Sequence, residues 1–266
     1  MNIELTQGEV TEGQLSATNL DRATRFLREV GAVVVNNAVP RETVSEIHAA
    51  YVEKASGRKK LLYPPMEVPF IDHAIIANPF GLQILEKMLG KKIGWALFNA
   101  HRGAAGTGSE DGEGQDGGHI HRDGNHLFPE LKVVLPVTGI YMDVPLVDFM
   151  EKNGAIRVYP GSHLIMDDPP SDVRNLPERA KELPSIQLAT PAGSIILRDM
   201  RIWHSAMPNY TSVDRPWLTS LYVRVFPHAS ERLPLPLEIK QGLPKFARRL
   251  LRTAESPEMS VEPAED

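Results

Sequence analysis

His121-Arg122-Asp123 sets an imidazole and a carboxylate two residues apart, and His204 in Arg201-Ile202-Trp203-His204 supplies a second imidazole far downstream. In an extended segment residues i and i+2 share a face, so His121 and Asp123 can offer a ring nitrogen and a carboxylate oxygen to one cation while Arg122 points away. A third ligand from a later strand closes one triangular face and leaves the opposite positions open. That two-histidine, one-carboxylate set suits non-haem iron(II) and its oxygen chemistry. Arg215 follows His204 after ten intervening residues. Its planar guanidinium keeps its charge and pairs two-pronged with a carboxylate, as a 2-oxo acid chelating the ion requires. The turn-forming Pro208-Asn209-Tyr210-Thr211 fits a hairpin that sets the strand of Arg215 beside that of His204.

A lone His-x-Asp in a chain with 9 histidines is weak evidence, because solvated surface pairs produce the same pattern. The argument rests on the conjunction of that motif, a distant histidine in an apolar strand and an arginine at a fixed offset.

Between the two ligand segments lies Asn153-Gly154-Ala155-Ile156-Arg157-Val158-Tyr159-Pro160-Gly161-Ser162-His163. It resembles the Asn-Gly-Ala/Cys and Pro-Gly-Ser-His stretch of the phytanoyl-CoA dioxygenase (PhyH) family, and the order of motifs is the same. The likeness runs from about residue 26 to about residue 226. It implies an iron(II)- and 2-oxoglutarate-dependent dioxygenase that consumes O2. The fold it implies is mainly β, a cupin-like double-stranded β-helix (jelly roll) with flanking N-terminal helices. Carried over residue by residue, it makes His121, Asp123 and His204 the iron ligands and catalytic set, and Arg215 the partner of the distal carboxylate of 2-oxoglutarate. Many relatives carry a hydroxyl residue two positions after the distal histidine, where this chain has Ala206 preceded by Ser205. Tyr141 or Thr219 is expected to replace the missing hydrogen bond. Halogenating relatives lack the carboxylate, so the presence of Asp123 implies hydroxylation or a related C–H oxidation. Related folds also serve as non-oxidative metal-binding isomerases and binding modules, an alternative that Arg215 disfavours.

The 266 residues, 42% of them hydrophobic, are enough to bury the core of one barrel-like domain. A net charge of −5 draws the surface toward neither nucleic acid nor anionic membrane, and a small organic substrate fits better. The absence of cysteine removes disulfides and thiolate ligands and suits a reducing compartment. The N-terminus shows no basic region followed by an apolar run, so a cytoplasmic protein is expected. Asn209-Tyr210-Thr211 matches a glycosylation sequon and is read as a turn.

Hydrophobic spacing predicts helices over 20–30, from Pro40 with Val44, Ile47, His48 and Tyr51 on one face, and over 81–89. Strands are predicted over 32–35, 93–100, 119–123, 133–144, 155–159, 186–190, 194–197, 202–205 and 217–225. One oxygenase domain is expected over 1–254, with a helical part at 1–92, a β-helix core at 93–226, an extension at 227–254 and a disordered tail at 255–266. The Gly-rich segment 103–118 reads as a solvated hairpin loop, with a substrate lid as its functional alternative. Residues 166–184 read as a surface excursion. The basic amphipathic stretch 244–252 suits docking on the core or on a second copy of the chain, which leaves a homo-oligomer open. His119 shares parity with the metal motif and stands equally as a pocket residue or an exposed strand residue. Asn125, His126 and Phe128 are candidates for shaping the pocket, and His163 for stabilising its turn. Arg157, Arg198 and Arg201 are candidates to attract an anion, against the plainer reading of solvated strand faces.

Overall fold

Charged residues interrupt two apolar strands at positions of one parity, and this decides how the sheets build a site. The computed structural model describes residues 1–55, 63–107, 120–166, 180–225 and 241. One compact unit spans Met1–Val225. Its elements are β1 (Asn2–Glu4), α1 (Gln7–Glu12), α2 (Ala17–Glu29), β2 (Ala32–Asn36), α3 (Arg41–Ala55), α4 (His73–Ile76), α5 (Pro79–Leu89) and β3 (Ile93–Gly103). There follow β4 (Gly139–Pro145), β5 (Arg157–Val158), β6 (Ile186–Gln187), β7 (Ile195–Asp199), β8 (His204–Ser205) and β9 (Arg215–Arg224). The major sheet has the order β1-β2-β7-β4-β9-β3, and the minor sheet the order β6-β5-β8. Every pairing is antiparallel except β1 with β2. This is a double-stranded β-helix, with the helices packed outside its larger sheet.

Strand alternation sorts the side chains into two compartments. Ile140, Met142 and Val144 of β4, Ile195 and Leu197 of β7, and Leu218 and Tyr222 of β9 join Leu27 of α2 and Phe80, Ile84 and Leu85 of α5 in the main core. The opposite parity presents Tyr141 and Asp143, Ile196 and Arg198, and Arg215, Trp217 and Thr219 to the interior between the sheets. Helix α5 is held for this packing by Asn78, whose side chain accepts from the amides of Phe80 and Gly81, with Pro79 in its first turn.

Five expected strands are shorter than the pattern implies, and three of them, 155–159, 186–190 and 202–205, shrink to the two-residue β5, β6 and β8. Among the described residues of 119–123 only His121 pairs, as an isolated bridge to His204, and His119 lies outside them. Over 133–144 the ladder begins at Gly139, because Pro136 has no amide hydrogen to give to a neighbouring strand. Helix α1 was legible in the sequence through the Thr6-x-x-Glu9 capping box but absent from the expected elements. Most of the Gly-rich segment, most of the 166–184 excursion, the basic stretch 244–252 and the tail lie outside the described residues.

Candidate metal centre

The backbone brings the two ligand segments together before any side chain acts. His121 N donates to His204 O at 3.0 Å and His204 N to His121 O at 2.9 Å, which sets the two imidazoles 4.3 Å apart between ring centres. Asp123 is turned back onto them because its amide and that of Gly124 both donate to Met200 O, at 3.0 and 2.8 Å. The ligand atoms of His121, Asp123 and His204 then lie within 4.8 Å of one another. Asp123 Oδ1 stands 3.5 Å from His121 Nε2, and Oδ2 stands 3.6 Å from His204 Nε2.

The Pro-Gly-Ser-His turn anchors the strand of His204. Ser162 Oγ accepts from Trp203 N at 2.8 Å, and Tyr159 N donates to Trp203 O at 3.0 Å, around a Trp203 side chain with no exposure. His204 Nδ1 faces the Ile202 carbonyl at 3.0 Å and must donate to it, which directs the Nε2 lone pair toward the common focus. Burial, assisted by the Arg198 charge, pushes the His204 pKa down to about 4, so the ring is a neutral donor at pH 7. For Asp123, burial would raise the carboxyl. The hydrogen bond with His121 and the charge of Arg198 outweigh it and hold the group far below the usual carboxylate range. Two imidazoles and one carboxylate therefore converge, a donor set that fits iron(II).

The low value for His204 has a consequence for stability. The unfolded chain takes up that proton near pH 6.5 while the folded chain refuses it until about pH 4, so stability is lost as pH falls across this window. In chelator-treated protein, thermal melting from pH 7 to pH 4 is expected to show a loss of at most about 3 kcal/mol from this group. His204→Gln should flatten that part of the curve. An unchanged slope in the variant would exclude His204 as the source.

Arg215 occupies a sealed seat. It is 1% exposed, its Nε donates to Asn153 O at 2.9 Å, and its guanidinium lies 4.6 Å from the Phe149 ring centre and 4.5 Å from that of Trp217. Gly103 on β3 makes room, since a Cβ there would stand 2.8 Å from Arg215 Nη2. Buried Nη1 has no hydrogen-bond partner among the described residues. Burial pushes the group down to about 10, which leaves it charged at neutral pH. A buried cation with an unspent N–H is costly unless an anion completes it, and a ligand carboxylate has the right chemistry.

The seat depends on Gly154, at φ +80°, next to the carbonyl that receives Arg215 Nε. A Cβ at this position would collide with Met207 O and lie 2.6 Å from Pro208 O, both backbone atoms just beyond β8. Gly154→Ala is expected to cost at least about 1–2 kcal/mol for the left-handed conformation alone. That corresponds to a melting temperature lower by roughly 2–8 °C. A melting curve matching the wild type would contradict this account.

A cavity of about 530 Å³ opens at the triad, and Asn99, His101, Tyr141, Trp217 and Thr219 are among the residues lining it. His101 stacks on Trp217 at 4.9 Å. Ala206 also lines it, so the position that many relatives fill with a hydroxyl is apolar here, and Ser205 is fully buried. Thr219 gives its hydroxyl proton to Asp143 Oδ1 at 2.6 Å, and the ring of Tyr141 is covered by the Arg198 guanidinium at 4.4 Å. Both expected substitutes for the missing hydroxyl are at the cavity, but their local partners are other protein groups.

Arg198 and Asp143 are the site residues that sequence reasoning undervalued. Arg198 is buried rather than solvated. Its Nε donates to Asp143 Oδ2 at 2.7 Å and its Nη1 to Asp123 Oδ2 at 2.6 Å, with His204 Nε2 3.5 Å away. The available signal was a charge at inward parity in each of two otherwise apolar strands. Arg201 is also buried but spent, forking onto Asp199 and donating to Leu135 O at 2.8 Å. Arg157 is half-buried on β5. His126 and His163 are directed at the carbonyls of Ile165 and Arg28, Asn125 accepts from Arg122, and Phe128 is exposed away from the cavity lining.

Fold and donor set together are those of a β-helix able to hold a non-haem metal ion, and comparison with known proteins adds a family match. Residues 108–217 match the family described as Phytanoyl-CoA dioxygenase (PhyH), and the matched segment carries all three candidate ligands and Arg215. Dioxygenase olcK of Penicillium canescens is 24% identical over 254 residues, covering 87% of this chain and 80% of its own. Among solved structures, the epimerase SnoN in complex with Fe3+, alpha ketoglutarate and nogalamycin RO superposes with a TM-score of 0.58 at 16% identity, covering 94% of this chain and 95% of that one. The non-heme alpha ketoglutarate dependent carbocyclase SnoK from nogalamycin biosynthesis gives 0.58 at 19% identity, covering 79% and 84%. No helix among the described residues is long and apolar enough to cross a membrane.

Proposed function

We propose that this chain is an iron(II)- and 2-oxoglutarate-dependent dioxygenase that oxidises a C–H bond of a small organic molecule, with hydroxylation as the leading outcome. The carrying observation is the convergence of His121, Asp123 and His204 within 4.8 Å at a cavity of about 530 Å³. In this reading those three residues hold the ion and Arg215 receives the distal carboxylate of the cosubstrate, near the wall formed by Tyr141 and Thr219. The bound ion, with 2-oxoglutarate and O2, supplies the oxidising chemistry. The chain's own part is to keep His204 neutral and Asp123 anionic, to seal the guanidinium of Arg215 from water, and to hold one substrate carbon beside the ion. Asn99 and the stacked His101 and Trp217 offer a polar and an aromatic contact for that orientation.

The epimerase and carbocyclase among the similar structures show that this fold hosts outcomes other than hydroxylation, so the product is set by substrate placement. We further take residues 1–254 as one oxygenase domain acting in the cytoplasm. The direct test incubates the protein with iron(II), 2-oxoglutarate and candidate substrates under air and measures succinate. Substrate-stimulated succinate supports the reading. Metal binding without any metal-dependent uptake of 2-oxoglutarate would point instead to a non-oxidative metal-binding barrel.

A further inference from the structure

The cavity contains a second guanidinium, that of Arg198, with one nitrogen still available. Arg198 spends Nε on Asp143 and Nη1 on Asp123, yet Nη2 has no hydrogen-bond partner among the described residues, and Arg198 lines the cavity. The side chain is not adaptable ballast. It is 6% exposed, fixed between two carboxylates, and backed by Thr219, which donates to the far oxygen of Asp143. A planar guanidinium fixed through Nε and Nη1 presents the remaining Nη2 at a defined angle, which suits a carboxylate oxygen.

Charge counting points the same way. Asp123 and Asp143 cancel Arg198 and Arg215, so a divalent ion on the triad adds two positive charges to a buried space. A dianionic 2-oxo diacid removes both, provided each of its carboxylates finds a cation. Arg215 sits in its sealed seat against Phe149 and Trp217, while Arg198 lies 3.5 Å from a ring nitrogen aimed at the ion. We propose that Arg198 is a second anion-binding residue of the site, taking the ion-side carboxylate of the 2-oxo acid through Nη2 while Arg215 takes the distal one. The inference rests on the 2-oxo acid reading above and gives Arg198, in the sequence only one of three candidates to attract an anion, a specific partner. It differs from a role in which Arg198 merely positions Asp123.

Anaerobic calorimetry on the full chain at saturating manganese(II) separates these cases, using 2-oxoglutarate and the monoacid 2-oxobutyrate as probes. Arg198→Gln is expected to weaken both acids alike, by about tenfold or more, as for a lost charge-assisted hydrogen bond. Arg198→Lys should restore part of the loss. Arg215→Met should weaken only 2-oxoglutarate, because 2-oxobutyrate has no distal carboxylate. If Arg198→Gln leaves Asp143 uncompensated and fails to fold, Arg198→Gln/Asp143→Asn removes both charges and is read in the same way. A folded variant that binds 2-oxobutyrate as tightly as the wild type overturns the proposal. So does one that loses manganese(II) affinity alone, since Arg198 then acts only through Asp123. If the wild type takes up neither acid with metal present, the broader reading fails as well.

Discussion

Asp123→Ala is expected to abolish succinate formation and to weaken manganese(II) binding by more than about 100-fold, because partners one layer removed from a metal already cost 10–100-fold when lost. Two effects add. The ion loses its only anionic ligand, and Arg198 Nη1, which donates to Asp123 Oδ2 at 2.6 Å, becomes a less compensated cation beside the vacated position. Coulomb repulsion at such separations in a poorly solvated cavity is worth several kcal/mol, enough to oppose a dication even where both imidazoles persist. Asp123→Asn keeps the volume and isolates the charge, so it should fall close to the alanine variant. Calorimetry with manganese(II) and an anaerobic iron(II) titration measure both. Wild-type affinity or turnover in a folded Asp123→Ala protein would remove this carboxylate from the centre and the proposed chemistry with it.

Arg215→Met should lower 2-oxoglutarate affinity by roughly 10- to 150-fold, the equivalent of about 1.5–3 kcal/mol for a charge-assisted hydrogen bond, while stability stays level or rises. The opposed signs follow from the geometry. Arg215 is 1% exposed, has a buried Nη1 without a partner among the described residues, and is held by one carbonyl and two aromatic faces. Replacing an incompletely paired buried cation by an apolar side chain of similar length is commonly neutral or stabilising. An ordinary structural arginine would behave the other way, losing stability and leaving ligand binding alone. Thermal melting beside calorimetry reads the two signs in one preparation. A strongly destabilised variant with wild-type affinity would assign Arg215 to the scaffold.

The apolar parity of β4, β7 and β9 was readable residue by residue, because an alternating strand must bury one face whichever strands it pairs with. Ile195-Ile196-Leu197-Arg198-Asp199 also showed that one charge would have to turn inward or be solvated, but not which. The choice required β7 to lie beside β4 with Arg198 opposite Tyr141 and its side chain reaching Asp143 two residues on, an arrangement made by connections across half the chain. The extended reading of 119–123 missed that His121 pairs through a single bridge and that Met200 O, rather than a ladder, turns Asp123 inward.

Taken alone, the order of residues determined the donor types, two imidazoles and an acid, together with the offset of Arg215 and the likeness to PhyH. Those are local properties: a side chain's chemistry and its distance along the chain do not depend on folding. Only the tertiary structure decided which charges share a dry interior: that Arg198 lies between Asp123 and Asp143, that Thr219 gives its proton to Asp143, and that Arg215 keeps a buried N–H unspent. The reason is physical. Electrostatic pairing is set by separation in space and by exclusion of water, and both arise when strands distant in sequence become neighbours in one sheet.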